Sequence, residues 1–310
     1  MTIRQDIRTW HRPLLLLTAV MAATLLCSAG GLLVDDRVLR GEPIWLKPFK
    51  FSVSIAVYGL TLAWLISLLG KGKRLAWWMG TVTAVMMIAE MTGLIMQVVR
   101  GQASHFNNAT DFDALVFQWM GTAIVVMWLS NLVVAVIVLR QRFADAPMLW
   151  AIRFGLVLAL IGMAVAFLMP PPTPDQLELL RNDIEPAMIG AHSVGVADGG
   201  PGMPITHWSL TGGDLRIPHF VGIHALQALP LLAGYFRRRF GGAAELMRTR
   251  LTFVGAFAYA GLLALTLWQA MRGQPLIYPD GLTLGVFGLL VAATAVLGAT
   301  VLRTRDKVLV

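Results

Sequence analysis

Charge is scarce in this chain: 14% of its 310 residues are charged against 57% hydrophobic, and the mean hydropathy is +0.69. A soluble domain of this length cannot bury so much apolar surface, which leaves an integral membrane protein. Cysteine is nearly absent. The single Cys27 excludes an internal disulfide framework and a Cys-based metal cluster. Leu26 before it does not suit a bacterial lipobox, so Cys27 reads as an apolar helix residue. The chain also lacks Gly-x-Ser-x-Gly, His-Glu-x-x-His, a Walker loop, a dinucleotide fingerprint and an acidic metal motif, so no familiar reaction announces itself. No Ala-x-Ala cleavage site follows the basic start MTIRQDIRTWHRP, and the first apolar run reads as an uncleaved span.

What the chain does have is apolar runs near the ~20 residues a bilayer requires. They fall at roughly 13–34, 49–70, 75–100, 114–139, 148–169, 218–236, 251–272 and 282–302. Lys and Arg lie between these runs, where they act as topology signals rather than as a nucleic-acid surface, despite a formal charge of +8. With the N-terminus inside, sixteen of them fall in inner segments, Arg4, Arg305 and Lys307 included, and eight in outer ones. Twelve of seventeen acidic residues go outside. The expectation is an all-α integral membrane protein of eight transmembrane helices with both termini cytoplasmic. Its long extracytoplasmic loop, 170–217, joins helices five and six. There Thr173, Pro174 and Gln176 suit the N-cap, N1 and N3 of a short helix. Two short runs around Gly212-Gly213 suit a hairpin, and the loop as a whole suits a lid or a plain connection.

One polar hexapeptide occurs twice. Gln97-x-x-Arg100-Gly101-Gln102 closes span three, and Gln269-x-x-Arg272-Gly273-Gln274 closes span seven. A second echo, at an offset of 169, pairs Lys47 with Arg216, Lys50 with His219 and Phe51 with Phe220. Residues 1–147 and 148–310 then read as two tandem parallel four-helix repeats. Twofold-related halves would gather Gln97, Arg100, Lys47 and Lys50 opposite Gln269, Arg272, Arg216 and His219 near the outer face. Each arginine could instead snorkel to headgroups or pair with Asp111, Asp214 or Asp280. Asp113 and Asp280 suit the N-caps of spans four and eight.

Within the spans, Glu90 is the costliest residue. It lies ten residues before Arg100, about 15 Å along a helix, and a carboxylate facing lipid at that depth costs on the order of 3 kcal/mol. It therefore requires a partner, a cavity or a proton. Lys50, Ser54 and Tyr58 share a stripe of span two, Gln118 lies in span four, and His224 and Gln227 are one turn apart on span six. Below them only Ser130, Asn131 and Arg153 stand out, a pattern suited to an outward-facing polar vestibule. Five of the six histidines lie outside or in outer halves. His105, His192, His219 and His224 are accordingly candidate haem or metal ligands, although His219 and His224, five apart, diverge by about 140° on one helix. His105 could equally cap the end of span three. Met86, Met87, Met91 and Met96 read as gap-fillers rather than copper ligands.

With RGQASHFNNATDFD, DGGPGMP and TGGDLRIPHFVGIHALQALP on the page, the chain resembles a group of uncharacterised bacterial multi-pass membrane proteins. That resemblance implies a bacterial inner (plasma) membrane and no particular chemistry. The four-plus-four plan is also similar to that of haem A synthase, but the span histidines of both halves are missing, so its chemistry is not carried over. The leading expectation is a pocket for a small polar or anionic molecule. It is formed by Glu90, Gln97, Arg100, Gln269, Arg272, Lys50, His224 and Gln227, with lipid as the surrounding partner. The alternatives are a haem-, metal- or quinone-dependent oxidoreductase at the outer face and a proton-coupled transporter using Glu90.

Overall fold

The structure, a computed structural model, describes residues 7–303. Arg4, Arg305 and Lys307, counted above among the inner cations, lie outside the described residues. Among the described residues the regular structure is helical apart from two short antiparallel strand pairs. Helix α1 (Arg12–Val34) leads through the hairpin β1 (Val38–Leu39) and β2 (Glu42–Pro43) into α2 (Leu46–Ser67). Helices α3 (Lys73–Arg100), α4 (Asp111–Leu139) and α5 (Ala146–Val165) follow, then the short α6 (Pro174–Arg181). Strands β3 (Ser193–Val194) and β4 (Gly213–Asp214) pair antiparallel before α7 (Arg216–Ile223), α8 (Ala225–Arg239), α9 (Glu245–Met271) and α10 (Gly281–Arg303). Seven helices are long and apolar enough to cross a membrane, or eight if the bent pair α7–α8 counts as one span. This marks a multi-pass membrane protein.

Local chemistry sets the boundaries. His11 caps α1 by accepting from the Leu14 N–H at 3.2 Å, with Pro13 in the first turn. Gly72 and Gly101 bracket α3 in the left-handed region, at φ 66° and 71°. The capping box expected at Thr173 and Gln176 is present on α6. Two expectations are corrected. Thr110, not Asp113, is the N-cap of α4, because its hydroxyl accepts the Asp113 N–H and Asp113 already lies inside the helix. Nor do the runs either side of Gly212-Gly213 pair as strands with each other. Gly213 pairs back to Val194, and only the isolated bridge Gly202–Ser209 forms nearby.

Span six, read as one continuous run, is broken: α7 and α8 meet at 46° around His224. Two residues flank the break. Gly222 sits directly against Gly162 of α5, so close that a side chain on either would strike the other's backbone. Pro230 inside α8 removes one helix hydrogen bond and crowds the carbonyl four residues earlier. In lipid, helices associate by close packing rather than by water exclusion, so this glycine pair is a genuine seam.

Helices α1 to α4 share one core that includes the fully buried Leu14, Leu62, Leu94 and Met120. Helix α5 packs on α7, α8 and α9, while α10 packs on α9. Hydrogen bonds show which connections share an end of the bundle. At one end Gln141 binds the backbone of Gly70 and Lys71, and Glu245 accepts from the Ala146 N–H. At the other, here the loop end, Arg37 reaches the Val99 carbonyl, Lys50 the Thr206 carbonyl, and Asn107 bridges to Met188.

Candidate functional site

The two hexapeptides take the same local structure. At each, the glycine is left-handed, with φ 71° at Gly101 and 68° at Gly273. The Gln102 N–H donates to the Gln97 carbonyl at 2.9 Å, and the Gln274 N–H to the Gln269 carbonyl at 3.2 Å. The Gly101 N–H donates to Val98 and the Gly273 N–H to Ala270, which completes a Schellman turn in both copies. Each arginine then reaches the start of the next helix. Arg100 donates to Asp113 and to the Gln97 amide oxygen, and its guanidinium lies 4.5 Å from the Phe112 ring centroid. Arg272 donates to Asp280 and Thr283 and lies 4.6 Å from the Trp268 ring. Gln97 donates to Asp113 at 2.8 Å, whereas Gln269 donates to the carbonyls of Pro275 and Leu276. The motif thus ends one helix and clamps the next, and none of its Gln or Arg side chains at 97, 100, 269 or 272 lines the cavity described next.

That cavity, of about 80 Å³, lies at the loop end. At ~15 Å³ per water on this measure, it has room for a few waters or one small ligand. Its walls come from four places. The hairpin before α2 supplies Arg40 and Glu42, and the first turn of α2 supplies Lys47. The segment after α3 supplies Ser104 and His105, and the long loop with the start of α7 supplies His192, Asp198, His207 and Arg216. Lys47 and Arg216, paired by the 169 offset, line this one cavity.

The segment 101–110 is not the surface connection its composition suggests. It folds back along α3 and buries Ser104, Phe106 and Asn107. His105, read above as a possible cap, instead turns inward, while Gly101 ends the helix. Its Nε2 comes within 3.4 Å of Glu90 Oε1, which lies ten residues before the end of α3 at Arg100. Its Nδ1 lies 3.0 Å from Ser104 Oγ. Glu90 is 1% exposed, and neither carboxylate oxygen has a hydrogen bond. Among the described residues these are the only carboxylate oxygens buried without one. Burial holds the His105 imidazole well below its ordinary pKa, helped by the nearby Lys47 charge and by His192.

Opposite, His192 is held by Asp198. The carboxylate accepts from His192 Nδ1 at 2.9 Å and from the backbone N–H groups of His192 and Ser193. Burial would raise Asp198, but these donors, chiefly His192, keep it well below the usual carboxylate range. Burial lowers His192 to about 4 in spite of the carboxylate, so a neutral ring donates to it. Arg40 stands 3.9 Å from Asp198, and Arg216 is bound to Asp214 and to the His207 carbonyl. Lys47 differs from these cations: its ammonium has no hydrogen bond or ion pair among the described residues, stands 5.9 Å from the Phe51 ring centroid, and feels the Glu42 and Glu90 carboxylates only at longer range. An unpaired cation on the wall of a covered cavity is costly unless something anionic joins it.

The remaining candidates lie elsewhere. Lys50 is committed to Glu42 at 3.0 Å and to the Thr206 carbonyl. His219 binds the Gly162 carbonyl at 2.8 Å across the glycine seam. His224, at the helix break, faces Gln227, which donates to Thr61 on α2. Among the described residues no three His, Cys, Asp or Glu side chains gather closely enough to hold a metal ion. Met91 and Met96 line an apolar groove between α1 and α3, in keeping with a gap-filling role. Comparison with family models, curated proteins and solved structures gives no match for this chain.

Sequence reasoning passed over Ser104 and Asp198, and counted His207 among the outer histidines without choosing it as a ligand. Their segments read as polar loops, and the only local hint was Phe106, a large apolar residue inside one of them. Lys47 and Arg216 were within reach, because the second echo had already paired them.

Proposed function

We propose that this protein binds a small anionic ligand, of acetate or phosphate size, in the cavity at the loop end, with Lys47 as the principal contact. The observation that carries this reading is the unpartnered Lys47 ammonium on the cavity wall. Of the other charged wall residues, Arg216 is matched by Asp214, Glu42 by Lys50, and Asp198 by His192 with Arg40 beyond it, which leaves Lys47 as the free positive charge. The anion contact thus moves from Arg100 and Arg272, whose guanidiniums are matched by Asp113 and Asp280, to Lys47. The long loop contributes to the walls of the site, which suits a lid, and the positive-inside pattern of the sequence supports an extracytoplasmic position for this end, as expected in a bacterial inner membrane. Tandem duplication is the simplest source of two identical helix ends and of the Lys47–Arg216 pairing.

The test is thermal unfolding of the detergent-purified protein against acetate, phosphate and sulfate at fixed ionic strength. At least one anion should raise the wild-type melting temperature with a saturable midpoint. Lys47→Met should abolish that rise and Lys47→Arg retain it in part. A rise that persists unchanged in Lys47→Met removes the proposal.

A further inference from the structure

The cavity wall holds one potential nucleophile with a base already beside it. Ser104 is 6% exposed, lines the cavity, and places its Oγ 3.0 Å from His105 Nδ1. The other ring nitrogen, Nε2, faces Glu90 Oε1 at 3.4 Å. That separation exceeds a formed hydrogen bond, but contacts of this kind are commonly long in an empty site and tighten around a transition state. The buried carboxylate has no other donor. When ionised, it favours the tautomer with the proton on Nε2, which leaves Nδ1 free to accept from the serine hydroxyl. Adjacent Ser and His side chains often touch. What sets this pair apart is the third member, a carboxylate carried by a different element and reached because segment 101–110 folds back along α3.

We propose that Ser104, His105 and Glu90 form a nucleophile, general base and orienting carboxylate for hydrolysis of a small acyl ester in this cavity. The inference rests on the anion-pocket reading, since the carboxylate that Lys47 would hold is the product such a hydrolysis leaves. In the first half-reaction Ser104 Oγ bonds to the acyl carbon as its proton passes to His105 Nδ1. The ester C–O bond then breaks, and the departing alkoxide takes that proton as the alcohol. In the second, a water gives a proton to His105 and its oxygen bonds to the acyl carbon. The carboxylic acid leaves as Ser104 recovers its proton. Water is the only co-reactant. Lys47 supplies positive charge for the oxyanion of each tetrahedral intermediate, and Glu90 is a positioning residue acting through the His105 ring.

The test is covalent labelling of the purified wild-type chain with a small alkyl fluorophosphonate, the modified residue being located by peptide mass spectrometry. Stoichiometric labelling on Ser104 is expected. It should be absent in Ser104→Ala, about 100-fold slower in His105→Ala, and at least about 10-fold slower in Glu90→Gln. If Ser104 stays unlabelled in protein whose melting temperature still rises with acetate, the nucleophile proposal falls and the anion pocket stands. No label on Ser104 together with no rise for acetate, phosphate or sulfate defeats both. Labelling of Ser104 that is equally fast in His105→Ala also overturns the triad, whatever acetate does.

Discussion

The helix-end clamps and the loop-end cavity are built from the same kinds of side chain, a few residues apart in the chain, and they differ in one respect. In the clamps every charge is matched: Arg100 by Asp113, Arg272 by Asp280, with glutamine, threonine and an aromatic ring filling the remaining positions. By contrast, Lys47 on the cavity wall and the buried Glu90 carboxylate, which faces the wall residue His105, are left without hydrogen bonds. Matched polar groups hold a fold. Unmatched buried ones are a cost that folding alone does not explain, and they point to a ligand or to chemistry. The clamps also differ from each other. Asp113 is 2% exposed, whereas the Arg272–Asp280 side chains are 31% and 40% exposed.

Acid separates the two regions most strongly. His192 sits at about 4 in the fold against 6.5 for an ordinary histidine, so between those values the unfolded chain binds the extra proton. Stability is therefore complete above about pH 6.5 and falls as pH drops towards 4, with His105 acting in the same direction. The clamp at Asp280 stays ionised throughout, because Arg272 and the Thr283 N–H hold that carboxylate below its usual range. Melting temperature followed against pH should show this loss in the wild type and a flatter profile in His192→Gln.

Arg100→Ala comes next. It strips the ion pair from a buried Asp113, and because Gln97 and Thr110 still bind that carboxylate, the loss should be about 2 kcal/mol, between exposed and buried pairs. Gly101→Ala and Gly273→Ala should each cost about 1 kcal/mol, since both demand a left-handed residue, and near-equal losses in chemical unfolding would show that the two turns do the same job. Smallest is Arg272→Ala, at an exposed pair that salt screens, where no measurable change in melting temperature is expected.

Much of this was legible in the sequence. The apolar runs located the seven helices long and apolar enough to cross a membrane, and also the bent pair α7–α8, and the hexapeptide announced that two helix ends are alike. The motif's role was harder to see. Gly after Arg is the ordinary signature of a left-handed helix stop, and Asp280 was already in view as a partner for Arg272, but the gathering of like residues on one face argued for a ligand. Of the two features at the break near His224, Pro230 stood in the apolar run, but the close approach of Gly222 to Gly162, 60 residues away in sequence, could not be read from it. The fold-back of Ser104 and His105 onto Glu90 was hidden for the same reason: composition marks 101–110 as a polar loop, and only tertiary packing turns it inward. Glu90 was recognisable as a residue in need of a partner, but the partner was not.

The account is tested most directly by measuring, in the same detergent, both the melting temperature and its rise with the best-binding anion for Arg100→Ala and Lys47→Met. Arg100→Ala should melt lower than wild type and keep the anion-induced rise. Lys47→Met should melt near or above wild type without anion and lose the rise. The opposite pattern, with the anion response lost in Arg100→Ala and intact in Lys47→Met, would contradict the account and return the ligand to the arginine motif.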